Sequence, residues 1–220
     1  MRGERSYEDP CAIARALDAV GERWALLIVR ELLLGPKRFG DLRRGLHEVS
    51  QNVLAQRLRE LERDGVVRRR TLASTGLYEL TKRGRELEPV LLALGRWAGE
   101  QPAPESFPIG LSPDALAFQL RLTFDPSLAR DLTAVYELRL DDDRLTIHIG
   151  RGEIAVTRAP ATNPDAVIET GVAEFTALIS GERPWDDSVV VEGDERAARR
   201  LARLFARPTA AEDTVNKVCD

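Results

Sequence analysis

The chain has 220 residues, of which 43% are hydrophobic and 31% charged, and its net charge is −4. This length leaves room for two domains of ordinary size. No apolar run reaches the ~18 residues that cross a bilayer, and the charged start of the chain lacks the apolar core of a signal peptide. Its two cysteines, Cys11 and Cys219, form neither a disulfide framework nor a four-ligand zinc site. We therefore expect a cytoplasmic protein that contacts no membrane.

The charge is distributed unevenly along the chain. Residues 1–101 hold 19 Lys and Arg against 15 Asp and Glu, a net +4, whereas residues 102–220 hold 13 against 21, a net −8. Within residues 37–70 there are 10 basic and 5 acidic side chains. A basic segment within an otherwise acidic chain indicates contact with nucleic acid by the first half.

Helices account for most of the first hundred residues. The pattern predicts an amphipathic helix over Cys11–Val20, a largely apolar core helix over Trp24–Leu34 and a short helix over Phe39–Arg44. A long amphipathic helix is predicted over Arg83–Glu100. We expect a kink at Pro89 because proline removes one backbone donor.

Between these segments, another amphipathic helix begins at Ser50, which is a favourable N-cap residue. Leu54, Leu58 and Leu61 have the i, i+4, i+7 spacing of a buried stripe. The opposite face carries amides near the start and arginines further along, as in a recognition helix. Asn and Gln can pair with adenine, and Arg with guanine or phosphate. Taken alone, the pattern fits a solvated surface helix equally well.

A basic hairpin follows this helix. Val66 and Val67 open a strand, Arg68–Arg70 continue it, Ala73–Gly76 form the predicted turn, and Leu77–Leu80 return. A solubilised edge hairpin is the plainer interpretation. An arginine run beside an arginine-bearing helix favours contact with DNA phosphates. This order predicts a winged helix-turn-helix whose DNA-binding residues are Arg38, Ser50, Gln51, Asn52, Gln56, Arg57, Arg59, Arg63, Arg68, Arg69, Arg70 and Ser74.

The second half predicts a different architecture. A proline-containing linker over residues 101–111 precedes a helix over Ser112–Leu122, with Ser112 as N-cap and Pro113 at the first position. Strands are predicted over 133–140, 144–149, 153–157, 166–169 and 188–192, and helices over 172–180 and 195–205. Asp141–Asp143 form a predicted hairpin turn. Strands with helices packed on one face describe an α+β domain, so the whole chain is predicted as α+β.

The first half resembles the HxlR-type bacterial transcription regulators over residues 8–100. The resemblance rests on Cys11, Gly21 and Trp24, on the Gly35–Phe39 and Ser50–Gln51 motifs, on Leu58–Glu62, Gly65–Val67 and Leu80–Gly84, and on Leu87–Leu91 with Trp97. It implies a homodimer that binds a double-stranded DNA operator, with an inverted repeat as the expected site. It also implies a dimer interface on the first and last helices of this domain. The expected interface residues are Ile13, Leu17, Leu87, Val90, Leu91, Leu94 and Trp97.

Residues 112–207 resemble the sterol-carrier-protein-like fold, and a tail over 208–220 follows. The resemblance rests on the segments YELRLDDDRLTIHIGRGEIAVTR, PDAVIETGVAEFTALISGERPW and VVVEGDERAARRLARLF. That fold encloses an apolar tunnel, which implies a cavity for an apolar or amphipathic effector. A filled core explains the same apolar residues equally well. The candidate lining residues are Leu120, Tyr136, Leu138, Ile147, Ile154, Phe175, Leu178 and Trp185.

Two functions remain compatible with these patterns. One is a sequence-specific transcription regulator that responds to a small molecule. The other is a lipid or small-molecule carrier, or a partner-docking protein, that uses the winged helix as an interaction platform. Asn52, Gln56 and Arg59 beside the arginine hairpin favour the regulator, because a docking platform does not need them together. We expect no enzymatic activity, metal or cofactor, since no catalytic triad, metal cluster or phosphate loop is recognisable.

Overall fold

The computed structural model describes residues 6–72, 75–99, 110–186 and 188–205. The chain forms two compact units. The first comprises the chain up to Leu92 together with Leu111–Phe118, and the second comprises Ala93–Gly110 and the chain from Gln119 onward. The first unit thus includes the start of the segment that the sequence prediction assigned to the second domain. Residues 101–109 of the predicted linker and the whole predicted tail lie outside the described residues.

The first unit has the order of a winged helix. Its helices and strands are α1 (Ala12–Val20), α2 (Ala25–Leu32), α3 (Phe39–Gly45), α4 (Gln51–Arg63), β1 (Val67–Leu72), β2 (Thr75–Leu80) and α5 (Lys82–Arg85), followed by the start of α6 (Glu88–Gly99). β1 and β2 pair in antiparallel register. The predicted sequence of helix, turn, helix and hairpin is present.

The core of this unit explains why the helices take this arrangement. Ile28 and Val29 of α2, Leu42 of α3 and Leu54 of α4 are completely shielded from solvent. The other buried members of the cluster are Ala25, Leu32, Leu46, Val49, Leu58, Leu61, Val66, Val67, Leu80 and Leu91. Burial of this much apolar surface stabilises helices that are too short to persist alone.

Two boundaries in the first unit differ from the sequence prediction. The long helix predicted over Arg83–Glu100 is wrong, because α5 ends at Arg85 and α6 begins at Glu88. Pro89 lies in the first turn of α6, where its missing N–H disrupts no helical hydrogen bond, so it begins a helix and does not kink one. The predicted turn at Ala73–Gly76 is also too long, because Thr75 and Gly76 already pair with β1.

The remaining elements form a mixed sheet with helices. They are α7 (Pro113–Thr123), α8 (Pro126–Ala129), β3 (Ala134–Leu140), β4 (Asp143–Gly150), β5 (Glu153–Thr157), β6 (Ala166–Thr170), α9 (Val172–Ser180), β7 (Val190–Gly193) and α10 (Glu195–Leu201). The strand order is β5-β4-β3-β6-β7. β3 and β6 are parallel, and the other neighbours are antiparallel.

One face of this sheet forms the core of the second unit. Tyr136 and Leu138 of β3 and Ile147 of β4 are completely buried, and α10 packs against β6 and β7. The opposite face carries charged pairs, such as Arg139 Nη1 with Glu192 Oε1 at 2.9 Å. The alternation of side chains along each strand therefore gives an apolar and a polar face, as the α+β prediction requires.

The C-terminal boundaries also shift slightly. β7 runs from Val190 to Gly193, where residues 188–192 were predicted. The closing helix ends at Leu201, because Leu204 and Phe205 bond to another segment and leave helical geometry. The Leu204 carbonyl accepts from the Asp125 N–H at 2.9 Å, and Phe205 forms a bridge with Phe124. Among the described residues, no helix is both long and apolar enough to cross a membrane.

Candidate nucleic-acid interface

The orientation of α4 follows from its cap and its leucine stripe. The Ser50 hydroxyl oxygen accepts a hydrogen bond from the Val53 backbone N–H at 3.3 Å, as predicted for an N-cap. Leu54, Leu58 and Leu61 are buried in the core. The polar face of α4 is therefore directed to solvent.

Polar side chains in the middle of α4 bond to one another. Gln56 Nε2 donates to Glu60 Oε1 at 2.6 Å, and Arg59 Nη2 donates to Gln56 Oε1 at 2.7 Å. Both ends of the Gln56 amide therefore have partners within the helix. Asn52 and Gln51, one turn earlier, are exposed, and no hydrogen bond of their side chains is found within the described residues. The four residues were grouped together in the sequence prediction, but their surroundings differ.

Arg57 has a more enclosed position than the other arginines of α4. Its side chain is only 18% exposed, its Nη2 lies 3.2 Å from Glu22 Oε2, and its Nη1 contacts Glu60 Oε2. This side chain ties α4 to the segment between α1 and α2. Arg63, at the end of the helix, is 58% exposed and lies near Asp64.

The wing carries three exposed arginines in succession. Arg68 Nε donates to Glu79 Oε1 at 2.7 Å, and the Arg68 side chain remains 62% exposed. Arg69 pairs with Tyr78 across the strands, with its guanidinium carbon 6.0 Å from the ring centroid. Arg70 is exposed. The predicted contact Ser74 lies outside the described residues.

Two neighbouring cations just before α3 have different environments. Arg38 is exposed at the N-cap of α3, and its backbone N–H donates to Asp41 Oδ2 at 3.2 Å. Lys37, in contrast, is directed inward, and its side chain is 11% exposed. The sequence prediction included Arg38 and did not assign a role to Lys37.

Lys37 belongs to a buried charge cluster that sequence reasoning missed. The carboxylate of Glu31, which is completely buried, accepts from Lys37 Nζ at 2.9 Å and from Arg30 Nη2 at 3.0 Å. It also accepts from the Ser112 hydroxyl at 2.7 Å. Lys37 Nζ makes a second contact with Asp114 Oδ2 at 2.5 Å. Three donors offset the cost of burying the Glu31 charge, and Lys37 also balances the second buried carboxylate, Asp114.

Most candidate ligand residues of the second unit lie in its core. Five of them are completely buried, namely Leu120, Tyr136, Leu138, Ile147 and Phe175. The side chain of Leu178 is 9% exposed. Ile154 is half-buried. The Tyr136 hydroxyl is buried without a hydrogen-bond partner among the described residues, and burial raises the pKa of this phenol.

Trp185 has a different environment from these core residues. It lines a cleft of about 340 Å³ together with Asp186, Val191, Glu195 and Arg199. The Arg199 guanidinium carbon lies 5.2 Å from the Trp185 ring centroid, and Glu195 Oε1 accepts from Arg199 Nη2 at 2.7 Å. A hydrogen bond from the Ser188 hydroxyl is the main cause that lowers the Asp186 pKa to about 2. The cleft therefore combines an aromatic wall with fixed charges.

Comparison with known proteins identifies the first half of the chain. Residues 19–106 match the model of the HxlR-like helix-turn-helix family. The uncharacterized HTH-type transcriptional regulator YvaP of Bacillus subtilis is 40% identical over 89 residues, which are 39% of this chain and 82% of YvaP. The chain belongs to the HxlR-like helix-turn-helix family. Its resemblance to HxlR-type regulators, inferred from motifs, is thereby confirmed.

Other members of the HxlR-like family match over a similar extent. The HTH-type transcriptional regulator YodB of Bacillus subtilis is 38% identical over 88 residues, covering 39% of this chain and 79% of YodB. The solved structure of reduced YodB shows 33% identity, covers 44% of this chain and 100% of that chain, and gives a TM-score of 0.39. YvaP and YodB are named as HTH-type transcriptional regulators, and membership of the same family supports a DNA-binding regulator. The match of the family model ends at residue 106, and the sterol-carrier-like fold of the second half stays a prediction.

The residues predicted for an HxlR-type dimer interface fall into two groups. Leu91 is buried at 7% exposure, and Leu87 packs partly buried against the same core. The other five are exposed, and they are Ile13 at 71%, Leu17 at 42%, Val90 at 52%, Leu94 at 45% and Trp97 at 69%. Exposure of this many large apolar side chains on two helices is unusual for a surface that faces only water.

Proposed function

We propose that this HxlR-like protein is a sequence-specific regulator that binds an inverted-repeat operator as a homodimer. The observation that carries the proposal is the basic surface of α4 and the adjoining wing. α4 packs against β1, so exposed Arg59 and Arg63 belong to the same compact element as exposed Arg68, Arg69 and Arg70. Cations on a helix and a neighbouring hairpin can contact phosphates on both sides of a groove.

A dimer is supported by the apolar side chains of α6. Val90, Leu94 and Trp97 follow the i, i+4, i+7 spacing, so they form one stripe along this helix, and all three are exposed. A second copy of the chain is the expected cover, since two-fold dimers are the commonest oligomers and match palindromic sites. Two recognition helices would then reach half-sites about one DNA turn, roughly 34–36 Å, apart.

The salt dependence of duplex binding tests the DNA-binding surface. The association constant should fall steeply as salt rises, because each phosphate contact releases counterions. Arg69→Ala should weaken binding to all sequences alike and lower the slope of log K against log salt by about one unit. Arg196→Ala removes an equal charge from an exposed position of α10 and should leave the slope unchanged. An affinity that does not vary with salt would instead favour the carrier or docking function.

We further propose that the second unit binds an amphipathic small molecule and thereby changes DNA affinity. The cleft at Trp185 supports this proposal, because it offers an indole surface beside the charges of Asp186, Glu195 and Arg199. A ligand changes DNA binding only if it prefers one of two states of the protein, and couplings of about 1–3 kcal/mol are ordinary. The apolar core residues that were predicted to line a tunnel support the proposal less, since they are already packed.

Native mass spectrometry of the purified protein tests this second proposal. A co-purified small molecule should be lost from Trp185→Ala, and the same molecule should change the affinity of the unaltered protein for its operator. Trp97→Ala is the control for retention of the molecule alone, because it removes an exposed indole that does not line the cleft, whereas its position on the proposed dimer surface makes its DNA affinity uninformative. If no molecule binds, or if one binds without changing DNA affinity, the effector proposal fails and the DNA-binding proposal stands.

A further inference from the structure

The exposed surface of α4 divides into two parts with different chemistry. In the middle of the helix, the Gln56 amide bonds to Arg59 and Glu60, and Glu60 also pairs with Arg57. Gln56 is therefore a spacer that holds a cation and a carboxylate in place. One of its two N–H donors and one lone pair of its oxygen are used, and these two bonds fix the orientation of the amide.

The first turn of α4 has no such internal network. Gln51 and Asn52 are exposed, and their amides have no hydrogen bond within the part of the chain that the structure describes. The Ser50 hydroxyl caps the Val53 N–H, which leaves the adjoining amides as the available polar groups. Val53 itself is 39% exposed. It is the large apolar side chain that α4 presents to solvent, and it had no assigned role in the sequence analysis.

This combination of groups corresponds to one type of base pair. The amide of Asn can make a bidentate pair with N6 and N7 of adenine. The C5 methyl of thymine is the apolar group of the major groove, and it accepts contact from an aliphatic side chain. The N-terminal residues of a recognition helix are the ones that reach base edges, whereas later residues contact the backbone. Asn52 and Val53 adjoin each other at that end of α4.

We propose that the first turn of α4 reads an A·T step, with Asn52 pairing to an adenine and Val53 contacting a thymine methyl. Arg59 and Arg63 then bind phosphate, and Gln56 positions Arg59 without contacting a base. The assignment rests on the proposed sequence-specific DNA binding and adds the residues that determine the sequence. It makes Val53 a specificity residue and removes Gln56 from that role.

Atom-level changes in the DNA separate these roles. Duplexes enriched by the full-length protein from a random pool are resynthesised with deoxyuridine in place of each thymine in turn, which removes only the methyl group. A second series carries 7-deazaadenine in place of each adenine, which removes only the N7 acceptor. Binding is measured for the unaltered protein, Val53→Ala, Asn52→Ala and the matched control Gln56→Ala.

One thymine should show a loss of about three- to fivefold on replacement by deoxyuridine, the amount expected for one buried methyl group. This loss should vanish in Val53→Ala and persist in Gln56→Ala. One adenine should show a loss of at least about fivefold on replacement by 7-deazaadenine, and this loss should vanish in Asn52→Ala only. Val53→Thr, which keeps the side-chain shape, should retain part of the methyl effect and guards against a folding defect in Val53→Ala.

Two outcomes would overturn the assignment while leaving DNA binding intact. The first is a methyl effect of equal size in Val53→Ala and the unaltered protein, or the absence of any thymine whose methyl matters. The second is loss of the 7-deazaadenine effect in Gln56→Ala, which would return base readout to the middle of α4. If no sequence is enriched and all duplexes bind alike, the proposed sequence-specific function itself fails, and the assignment fails with it.

Discussion

Replacing Gly45 with alanine tests the buried charge cluster directly. A β-carbon built at Gly45, the last residue of α3, lies 2.2 Å from Glu31 Oε2 and 2.9 Å from Glu31 Cδ. Carbon and oxygen atoms in contact are about 3.3 Å apart, so the carboxylate must move by roughly 1 Å. Glu31 Oε2 accepts from Lys37 Nζ at 2.9 Å, and a displacement of that size exceeds what this hydrogen bond tolerates.

The expected loss follows from two opposing effects. Losing this one contact costs about 1–3 kcal/mol, because Glu31 keeps its bonds from Arg30 and Ser112 while one carboxylate oxygen loses its donor. Alanine in a helix contributes up to about 1 kcal/mol more than glycine. The free energy of unfolding of Gly45→Ala should therefore fall by about 1–2 kcal/mol. The first unit should carry this loss, since Gly45, Glu31 and Lys37 all belong to it.

Gly40→Ala is the matched control within the same helix. A β-carbon at Gly40 meets nothing within 4 Å, so this variant should be as stable as the unaltered chain or more stable by up to about 1 kcal/mol. Both variants are compared by equilibrium urea denaturation with shared slopes. Equal stability of Gly45→Ala and Gly40→Ala would refute the reasoning, because it would show that the Glu31 carboxylate does not occupy the space beside Gly45.

Three further predictions concern assembly, the second core and acid stability. Leu94→Asp should be monomeric in sedimentation velocity, because burying a charge at the apolar stripe of α6 is costly. Arg96→Asp is the control and should remain dimeric. A monomeric unaltered protein would contradict the proposed dimer. Tyr136→Phe should raise the free energy of unfolding by about 1 kcal/mol, because it removes a buried hydroxyl without a partner, and a decrease would indicate a missed hydrogen bond. Ser188→Ala should raise the Asp186 pKa from about 2 towards its ordinary 3.8 in an NMR titration. Since the lowered pKa stabilises the fold above pH ~4 and this contribution is lost as the pH falls towards 2, the variant should lose less stability over that interval.

The sequence predicted the DNA-binding helix well because several local signals agree there. Ser50 supplies the cap, and Leu54, Leu58 and Leu61 supply a stripe that only a helix can bury on one side. The wing is predicted by the same kind of local evidence, a strand that opens with Val66 and Val67 and is followed by a turn and a short return. Such signals depend on neighbours in sequence, so they are readable without a structure.

The relations among polar side chains could not be read in this way. Sequence reasoning placed Gln56 and Arg59 with Asn52 as equivalent contacts, because all three lie on the outer face of one helix. The hydrogen bonds from Gln56 to Glu60 and from Arg59 to Gln56 depend on rotamers, which the helical wheel does not specify. Val53 was overlooked for the opposite reason, since an apolar residue is assumed to be buried unless a structure shows otherwise.

The buried cluster was invisible for a further physical reason. Glu31 is charged, and charged residues are almost never fully buried unless they are paired. Its partner Lys37 is six residues away, but Ser112 follows 81 residues later, beyond the end of the family match. No periodic pattern connects positions so far apart. The prediction therefore treated the segment from Ser112 only as the beginning of a second domain.

The buried charge cluster around Glu31 predicts where the DNA-binding unit ends. Ser112 caps α7 by accepting from the Ala115 N–H at 3.0 Å, and it also donates to Glu31. Phe118, later in α7, packs against the core of the first unit. A fragment that stops at residue 106, the end of the family match, should therefore be less stable than one that continues to the end of α7.

The free energies of unfolding of the two fragments should differ by several kcal/mol. The shorter one lacks the Ser112 hydroxyl and the Asp114 carboxylate, whose loss leaves buried groups unsatisfied at about 1–3 kcal/mol each. It also loses the apolar contacts of Phe118, worth roughly 1.5–3 kcal/mol if that side chain were fully buried. Thermal unfolding of fragments ending at residues 106 and 123 measures the difference. Ser112→Ala in the longer fragment should lower its melting temperature by part of that difference. Equal melting temperatures would mean that the winged helix is complete without α7, and that Glu31 finds enough donors in Arg30 and Lys37 alone.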